Sequence, residues 1–339
     1  MSLLRILGVA AVATVALSLA ACAPATDSDT SASGDGVFPL TIEHAYGSTT
    51  IESKPERVAT VAWANHEVPL ALGIVPVGMS KATWGDDDGD GVLPWVEDKL
   101  EELGAKTPVL FDETDGIDFE AVADTRPDVI LAAYSGISQE EYDTLSKIAP
   151  VVAYPDVAWG TPLDEMIMMD SKALGLEAEG KKLVSDVETK VDASIAKFPA
   201  LQGKKVLFSF LDPTDLSQIG FYTVHDTRPG FLAQHGMPMP AIVDEESAGT
   251  DEFYLTVSAE EADRFSDVDV FVTYGSPDGS IITQLQADPL LSKIPAIAAG
   301  HIVVLENSTP LAASANPSPL SIGWGADEYF GLLAAPFAG

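Results

Sequence analysis

The apolar positions between Glu177 and Phe198 predict one long amphipathic helix. They recur at steps of three and four residues, which places them on a single helical face; these positions are Val184, Val187, Val191, Ile195 and Phe198. Pro199 follows directly and cannot continue a helix. At 1.5 Å rise per residue, such a helix spans about 33 Å, the diameter of a small domain. Taken alone, the pattern is equally typical of an ordinary surface helix.

The segments on either side of this helix follow one plan. The apolar run Asp128–Gly136 ends in a tyrosine beside serine and glycine, and Asp269–Ser276 ends in the same way. Each is followed by Leu-Ser-Lys-Ile and a further apolar run. Near the start of the chain, an apolar strand at Val58–Ala62, a short helix and a second strand at Ile74–Val77 predict parallel α/β layers. We therefore predict an α/β fold with two lobes and mostly parallel central sheets. The lobes are residues 37–176 and 199–339, joined by the helix 177–198, with a cleft between them.

The N-terminus has the pattern of an export signal. Arg5 precedes a short apolar run, and residues 1–21 end in Leu-Ala-Ala before Cys22, the single cysteine of the chain. This resembles the bacterial lipobox, which implies acylation of Cys22. Residues 22–36 are small and polar after the cysteine and are typical of a flexible tether. The expected location is the outer face of the bacterial cytoplasmic membrane, with the protein anchored by lipid.

Composition and motifs exclude several classes of function. The chain has 18 Lys+Arg against 52 Asp+Glu and a net charge of −34, which argues against nucleic-acid binding. The enzyme motifs G-x-S-x-G and H-E-x-x-H do not occur, and the one G-x-x-x-x-G-K stretch, Gly175 to Lys181, lacks the Ser or Thr that completes a phosphate-binding loop. A cell-wall hydrolase is the alternative from another class, but neither a paired acid nor a nucleophile–histidine set is assignable.

The order of several short stretches resembles a known family. PERV…ALGIVPVG, IDFEAVADTRPDVILAAYSG and IAPVV occur in the order found in substrate-binding lipoproteins of iron–siderophore ABC importers. These are bi-lobed, periplasmic-binding-protein-like proteins of the helical-backbone type, and they also include haem and cobalamin binders. The resemblance implies a monomer without a required cofactor. The resemblance further implies that the protein captures a ferric siderophore in the cleft and delivers it to an ABC permease with a separate ATPase. Haem or cobalamin binding is the main alternative.

The resemblance also implies roles for two acids. Glu120 matches the acid of the first lobe that docks onto the permease, and Glu260 matches its counterpart in the second lobe. Two acids at the tips of two lobes suit docking against basic pockets. Each is also typical of a solvated glutamate early in a helix.

Aromatic and basic residues at the predicted strand ends are the candidate ligand-binding residues. Ligands of open α/β sheets bind outside the carboxyl ends of the strands. Arg228 is the candidate for a charged contact, because a guanidinium fork matches hydroxamate or catecholate oxygens. The full set is Trp63, Lys81, Trp84, Tyr134, Trp159, Tyr222, Arg228 and Tyr274. Any one of the aromatics, taken singly, is also typical of a core residue.

Two groups of residues are candidate metal sites. The spacing of Asp86, Asp88, Asp90 and Glu97 fits a calcium-binding loop, although Pro94 occupies the ninth position and no entering helix is predicted. His66 and His225 follow early strands of the two halves and suggest direct binding of a transition metal. Two histidines without a third ligand are weak evidence for such a site.

Overall fold

Two separate parallel sheets organise the chain, one before the long helix and one after it. The computed structural model describes residues 38–276 and 278–338. The predicted signal sequence, the predicted tether and Cys22 therefore lie outside the described residues.

The first half contains a hairpin and a five-stranded sheet. The hairpin strands β1 (Leu40–His44) and β2 (Gly47–Ile51) are antiparallel. The sheet is parallel throughout, in the order β5-β4-β3-β6-β7. Its strands are β3 (Val58–Thr60), β4 (Gly78–Ser80), β5 (Val109–Phe111), β6 (Val129–Leu131) and β7 (Val151–Val152). Five helices accompany it: α1 (Glu67–Ala71), α2 (Pro94–Glu102), α3 (Phe119–Asp124), α4 (Gln139–Leu145) and α5 (Leu163–Ala173).

The long helix α6 (Glu177–Ile195) leads into the second half, whose parallel sheet has three strands. The strands of this half are β8 (Val206–Phe208), β9 (Gln218–Tyr222), β10 (Tyr254–Ser258), β11 (Val270–Gly275) and β12 (Ile302–Glu306). Strands β12, β11 and β8 form the parallel sheet in that order, and β9 pairs with β10 antiparallel. The remaining helices are α7 (Thr227–Gln234), α8 (Ala241–Ser247), α9 (Ser280–Ala287), α10 (Pro295–Ala299), α11 (Pro310–Ser314) and α12 (Ser321–Ala334). Short 3-10 helices occupy Pro199–Leu201, Ala259–Phe265, Leu291–Lys293 and Ala335–Phe337.

The α/β class with parallel sheets is confirmed, and several predicted boundaries are wrong. The long helix ends at Ile195 rather than Phe198. Phe198 has φ −125° and ψ 62°, because a residue before proline is driven out of the helical region. The second strand is Gly78–Ser80, whereas Ile74–Val77 leads into it. The first strand stops at Thr60, since Ala62 adopts a φ of 61°.

Helix α6 packs against α5 and α12. Val187 and Val191 are buried, whereas Val184 and Phe198 are partly buried against the same core. This core contains residues from both parallel sheets, so a continuous apolar interior underlies the two halves. Among the described residues, no helix has the length and apolar character required to cross a bilayer.

The C-terminal segment returns to the first half. Glu67 of α1 is buried, and its carboxylate accepts hydrogen bonds from the Ser318 hydroxyl, the Leu320 amide (3.0 Å) and the Trp95 indole (2.8 Å). Burial raises the pKa of Glu67 to about 7, although these hydrogen bonds lower it. The ring of Trp95 also lies 5.2 Å from that of Trp324 in α12. Residues 318–324 therefore fasten the end of the chain to the first half.

Gly180 allows α5 and α6 to approach closely. A Cβ atom at this position would lie 1.9 Å from the Ser171 Oγ and 2.6 Å from the Ser171 Cβ. The second distance cannot be relieved by rotating the serine side chain. Any larger residue at position 180 must therefore push the two helices apart.

Overpacking a core usually costs about 1–3 kcal/mol, whereas alanine normally gains roughly 1 kcal/mol over glycine in a helix. We therefore expect Gly180→Ala to lower the free energy of unfolding by up to about 2 kcal/mol. Gly323→Ala in α12 is the matched control, because its Cβ would meet only the flexible end of Lys190 at 3.4 Å. The control should be neutral or more stable in urea unfolding. Equal stabilisation by both changes would contradict the close helix contact.

Candidate ligand-binding site

Aromatic side chains from the two halves meet at the carboxyl ends of the parallel strands. Trp63 follows β3, Trp84 follows β4 and Tyr274 lies near the end of β11. The ring of Trp84 lies 6.5 Å from that of Trp63 and 5.6 Å from that of Tyr274. The structure thus brings together three of the residues selected from the sequence, in one crevice at the sheet edges.

Trp84 is held in this position by the opposite half of the chain. Its indole nitrogen donates to the Asn307 Oδ1 at 3.3 Å, and the amide of Gly85 donates to the Ser308 hydroxyl at 3.4 Å. Asn307 directly follows β12, so a strand end of the second sheet positions an aromatic ring of the first.

Arg228 lies in the first turn of α7 and is 15% exposed. Its Nε and Nη2 atoms donate to the two carboxylate oxygens of Asp226, at 2.8 and 2.6 Å. The guanidinium also covers the ring of Tyr222 at 3.6 Å, and its Nη1 reaches the Tyr274 hydroxyl at 3.5 Å. The guanidinium fork is therefore occupied by Asp226, which the sequence analysis did not foresee. The Nη1 edge is the part that faces Tyr274 and the aromatic crevice.

The Asp226 carboxylate keeps the Arg228 guanidinium charged. Burial lowers the pKa of Arg228, but Asp226 outweighs burial and holds that pKa well above its ordinary value. Burial raises the pKa of Tyr222 to about 12, so its phenol stays neutral. The pair is buried and internally neutralised, and it adds no net charge to the crevice.

Tyr134 joins the two halves. Its hydroxyl lies 3.1 Å from the Thr227 Oγ1 and accepts from the Asn316 Nδ2 at 3.0 Å. The ring of Trp159 packs edge-on against it at 5.5 Å. A Cβ at Gly136 would fall 2.1 Å from the Trp159 indole nitrogen, so the indole rests on the glycine backbone. Tyr134 and Trp159 thus form the wall nearest to α7.

Three residues beside the crevice have strained backbones. Ala62, Ala64 and Trp159 have φ values of 61°, 62° and 60°, a region that non-glycine residues rarely adopt. Such conformations cost about 1–3 kcal/mol each and persist only where the surroundings impose them. They cluster at functional sites, and here Ala62 and Ala64 flank Trp63 on both sides.

Asn65 and Glu113 impose the conformation of the Trp63 loop. The Asn65 side chain donates to the carbonyls of Val61 (2.8 Å) and Tyr134 (2.9 Å) and accepts from the Tyr134 amide. The Glu113 Oε2 accepts from the Ala62 amide at 2.9 Å. Burial raises the pKa of Glu113 to about 7. Sequence reasoning missed both residues, although each follows a strand, as the selected aromatics do.

Lys81 has a different environment from the aromatics. It lines a small cavity beside Trp63, but its ammonium pairs with Asp112 at 3.3 Å on the surface. An exposed pair of this kind contributes little free energy.

Glu120 and Glu260 occupy equivalent places in the two halves. Glu120 lies in the first turn of α3, which Asp118 caps, and Glu260 lies in the first turn of the 3-10 helix that Ser258 caps. Both side chains are exposed. The geometry is compatible with contact to another protein.

The acidic loop brings three carboxylates together. Oxygens of Asp86, Asp88 and Asp90 lie within 4.8 Å of one another. Burial and the charges of Asp90 and Asp88 raise the pKa of Glu97, but this predicted fourth ligand lies outside the group of three carboxylates. Asp86 also accepts hydrogen bonds from the amides of residues 88, 89 and 91. The loop is thus ordered by its own backbone, with Glu97 on the helix that follows.

Among the residues that the structure describes, no third ligand completes a metal site with His66 and His225. His66 is buried, and burial lowers its pKa to about 4. The Nε2 of His225 lies 2.8 Å from the Thr250 carbonyl oxygen. Within residues 38–276 and 278–338, the group of three or more acids or histidines close enough to share a metal ion is the aspartate loop.

Comparison with known proteins identifies the family. The model of the periplasmic binding protein family matches residues 58–309, from the first strand of the five-stranded sheet to beyond β12. The chain belongs to this family. It is similar to PiaA of Streptococcus pneumoniae TIGR4, solved in complex with ferrichrome, with 48% identity and a TM-score of 0.84. That match covers 88% of this chain and 98% of the other.

Two further relatives of this periplasmic binding protein are informative. The probable siderophore-binding lipoprotein YfiY of Bacillus subtilis (strain 168) is 31% identical over 242 residues, which is 69% of each chain. The Fe(3+) dicitrate-binding periplasmic protein FecB of Escherichia coli (strain K12) is 27% identical over 122 residues, covering 34% of this chain and 35% of that protein. The family is one of substrate-binding proteins, and the crevice at the strand ends lies where such a fold presents its ligand site.

Proposed function

We propose that this protein captures a ferric hydroxamate siderophore of the ferrichrome type and delivers it to an ABC permease. The observation that carries the proposal is the 48% identity, over 88% of the chain, with PiaA, whose structure contains ferrichrome. The relative YfiY, also named as a siderophore-binding protein, agrees with it. The crevice supplies the chemistry that a large, partly apolar chelate requires, namely aromatic walls and a few fixed donors.

The electrostatics of the crevice favour a hydroxamate over a catecholate. Three hydroxamates carry three negative charges, which balance Fe³⁺, whereas three catecholates leave a trianion. Arg228 is the cation that faces the aromatic rings, and Asp226 already neutralises it. A neutral chelate suits a site without net charge, and a trianion would lack a partner there.

The eight residues selected from the sequence differ in their expected contributions. Trp63, Trp84 and Tyr274 form the aromatic walls, and Arg228 donates from its Nη1 edge to an iron-bound oxygen. The ring of Tyr222 packs against one face of the guanidinium. Tyr134 and Trp159 shape the wall beside α7. Lys81 is the most peripheral, because Asp112 holds its ammonium.

Arg228→Ala should weaken ferrichrome binding at least roughly 10-fold, because it removes a hydrogen bond to a charged group, worth about 1.5–3 kcal/mol, and also leaves the buried Asp226 carboxylate without its partner. Quenching of tryptophan emission measures the affinity, since Trp63 and Trp84 flank the site. Arg264→Ala is the control, because Arg264 pairs with Glu245, Glu246 and Glu261 in another part of the second half. A panel of ferrichrome, a ferric catecholate, haem and cobalamin tests the ligand class. Preference for haem or cobalamin would refute the proposal.

Permease docking is proposed for Glu120 and Glu260. Reversing both to lysine should abolish uptake while the affinity for ferrichrome in solution changes by less than about threefold, because neither acid lies among the crevice residues. The control reverses the exposed acids Glu43 and Glu101 in the same way. Normal uptake by the double variant would show that docking uses other residues.

Membrane attachment is proposed through Cys22. The relative YfiY is named as a lipoprotein, and Cys22 lies in a lipobox-like sequence. Cys22→Ser should prevent incorporation of labelled fatty acid and release the protein from the membrane fraction. Labelling that survives this change would locate the lipid elsewhere.

A structural calcium ion is proposed for the acidic loop. A ligand that binds only the folded state stabilises it by RT ln(1 + [L]/Kd), about 2.7 kcal/mol at 100 times Kd. Millimolar calcium should therefore raise the melting temperature by several degrees, and Asp88→Ala should remove this rise. Asp124→Ala, which changes an acid at the end of α3, is the control. If the melting temperature stays the same after calcium is removed by a chelator and added again, the loop binds no calcium and its carboxylates are simply solvated.

A further inference from the structure

A depression of about 440 Å³ lies at the carboxyl ends of β8, β11 and β12. The loop after β8, the end of β11 and the first turns of α9 bound it. This is the edge of the second parallel sheet, where open α/β folds bind ligands. Its volume falls within the range of small-molecule pockets, about 300–1,000 Å³.

The depression is continuous with the aromatic crevice. Tyr274 and Asn307 line it, and both also contact Trp84 across the crevice. Phe210 stands at its mouth, 45% exposed, with its ring 6.4 Å from that of Tyr274. An exposed phenylalanine beside a ligand crevice is an unused apolar contact surface.

The lining of the depression is uncharged. Among the described residues that form it, none is acidic, basic or histidine, in a chain with 52 Asp+Glu. Its polar groups are hydroxyls and amides, those of Thr214, Ser276, Ser280, Gln284 and Asn307. Neutral donors and acceptors of this kind bind neutral groups without the cost of burying a charge.

Two acids beside the depression reinforce this selectivity. The Asp212 carboxylate accepts from the Thr214 amide at 2.8 Å and hydroxyl at 2.7 Å, and Asp278 accepts from the Ser280 amide at 3.0 Å. These bonds fix both loops and keep two exposed carboxylates within two residues of the lining. An anionic group entering the depression would be repelled by these carboxylates.

We propose that this depression is a subsite for an uncharged aryl or acyl amide substituent carried on the siderophore outside its iron-binding core. The inference rests on the proposed function. Phe210 packs against the apolar part of the substituent, while Gln284 and the serines bond its amide. The iron core stays against Trp84 and Arg228. The subsite thereby extends the ligand range from the bare chelate to neutral, substituted chelates.

The experiment compares three ligands: ferrichrome, a ferrichrome derivative with an appended phenyl amide, and the same derivative with a carboxylate on the phenyl ring. Gln284→Trp fills the depression from α9, whereas Thr283→Trp, next to it on the same helix and outside the lining, is the matched control. Phe210→Ala removes the apolar contact. Melting temperatures confirm that each variant is folded.

The unaltered protein should bind the neutral derivative about tenfold more tightly than the carboxylate derivative. Gln284→Trp should weaken binding of the neutral derivative about tenfold and leave ferrichrome within twofold, and Thr283→Trp should change neither. Phe210→Ala should weaken binding of the neutral derivative only, several-fold.

Equal affinity for the two derivatives, or unchanged binding of the neutral derivative by Gln284→Trp, overturns the subsite. An equal loss of ferrichrome binding also overturns it, since the depression would then hold the core. Failure of ferrichrome to bind the unaltered protein instead refutes the proposed function.

Discussion

The ion pair between Arg228 and Asp226 is the interaction on which the crevice depends. The Asp226 side chain is 1% exposed and the Arg228 side chain 15%, and loss of one partner from such a buried pair costs about 3–5 kcal/mol through the uncompensated charge that remains. The residue between them, Thr227, donates its hydroxyl to Asn316 at 2.6 Å and contacts Tyr134. Three consecutive residues at the start of α7 therefore fix the guanidinium, an aromatic wall and the contact between the two halves.

The two halves are joined by more than the long helix. Helix α6 packs on a core shared by both sheets, Glu67 binds the segment around Ser318, and Trp84 binds Asn307. A large hinge motion would break all of these contacts together. A buried polar group that loses its hydrogen-bond partners costs about 1–3 kcal/mol, so the Glu67 contacts alone resist opening. We therefore infer that ligand capture involves side-chain adjustment and modest closure around a largely preformed crevice.

The features predicted from the sequence are those encoded by short-range patterns. The periodicity of apolar residues predicts α6, and apolar runs followed by glycine predict the strands. The α/β class and the aromatic residues at the strand ends could therefore be predicted. The end of α6 was misplaced because the effect of Pro199 on Phe198 outweighed an otherwise helical pattern. The bonds that fix the site escaped prediction, since they join residues far apart in sequence: Asn65 to Tyr134, and Trp84 to Asn307. No spacing rule marks an asparagine as the partner of a backbone 69 residues away.

The charge of the whole chain and the charge of the crevice are separate properties. Net charge of −34 suggests repulsion of any anion, yet surface charges are screened beyond about 8 Å at physiological salt. A chelate in the crevice therefore experiences mainly its neighbours, which are aromatic rings, neutral amides and one neutralised arginine. The acidic residues on the surface act earlier, while the ligand approaches. They repel anionic chelates and leave a neutral chelate unaffected. Under the proposed function, both the approach and the binding site therefore favour a chelate without net negative charge, although through different residues and over different distances.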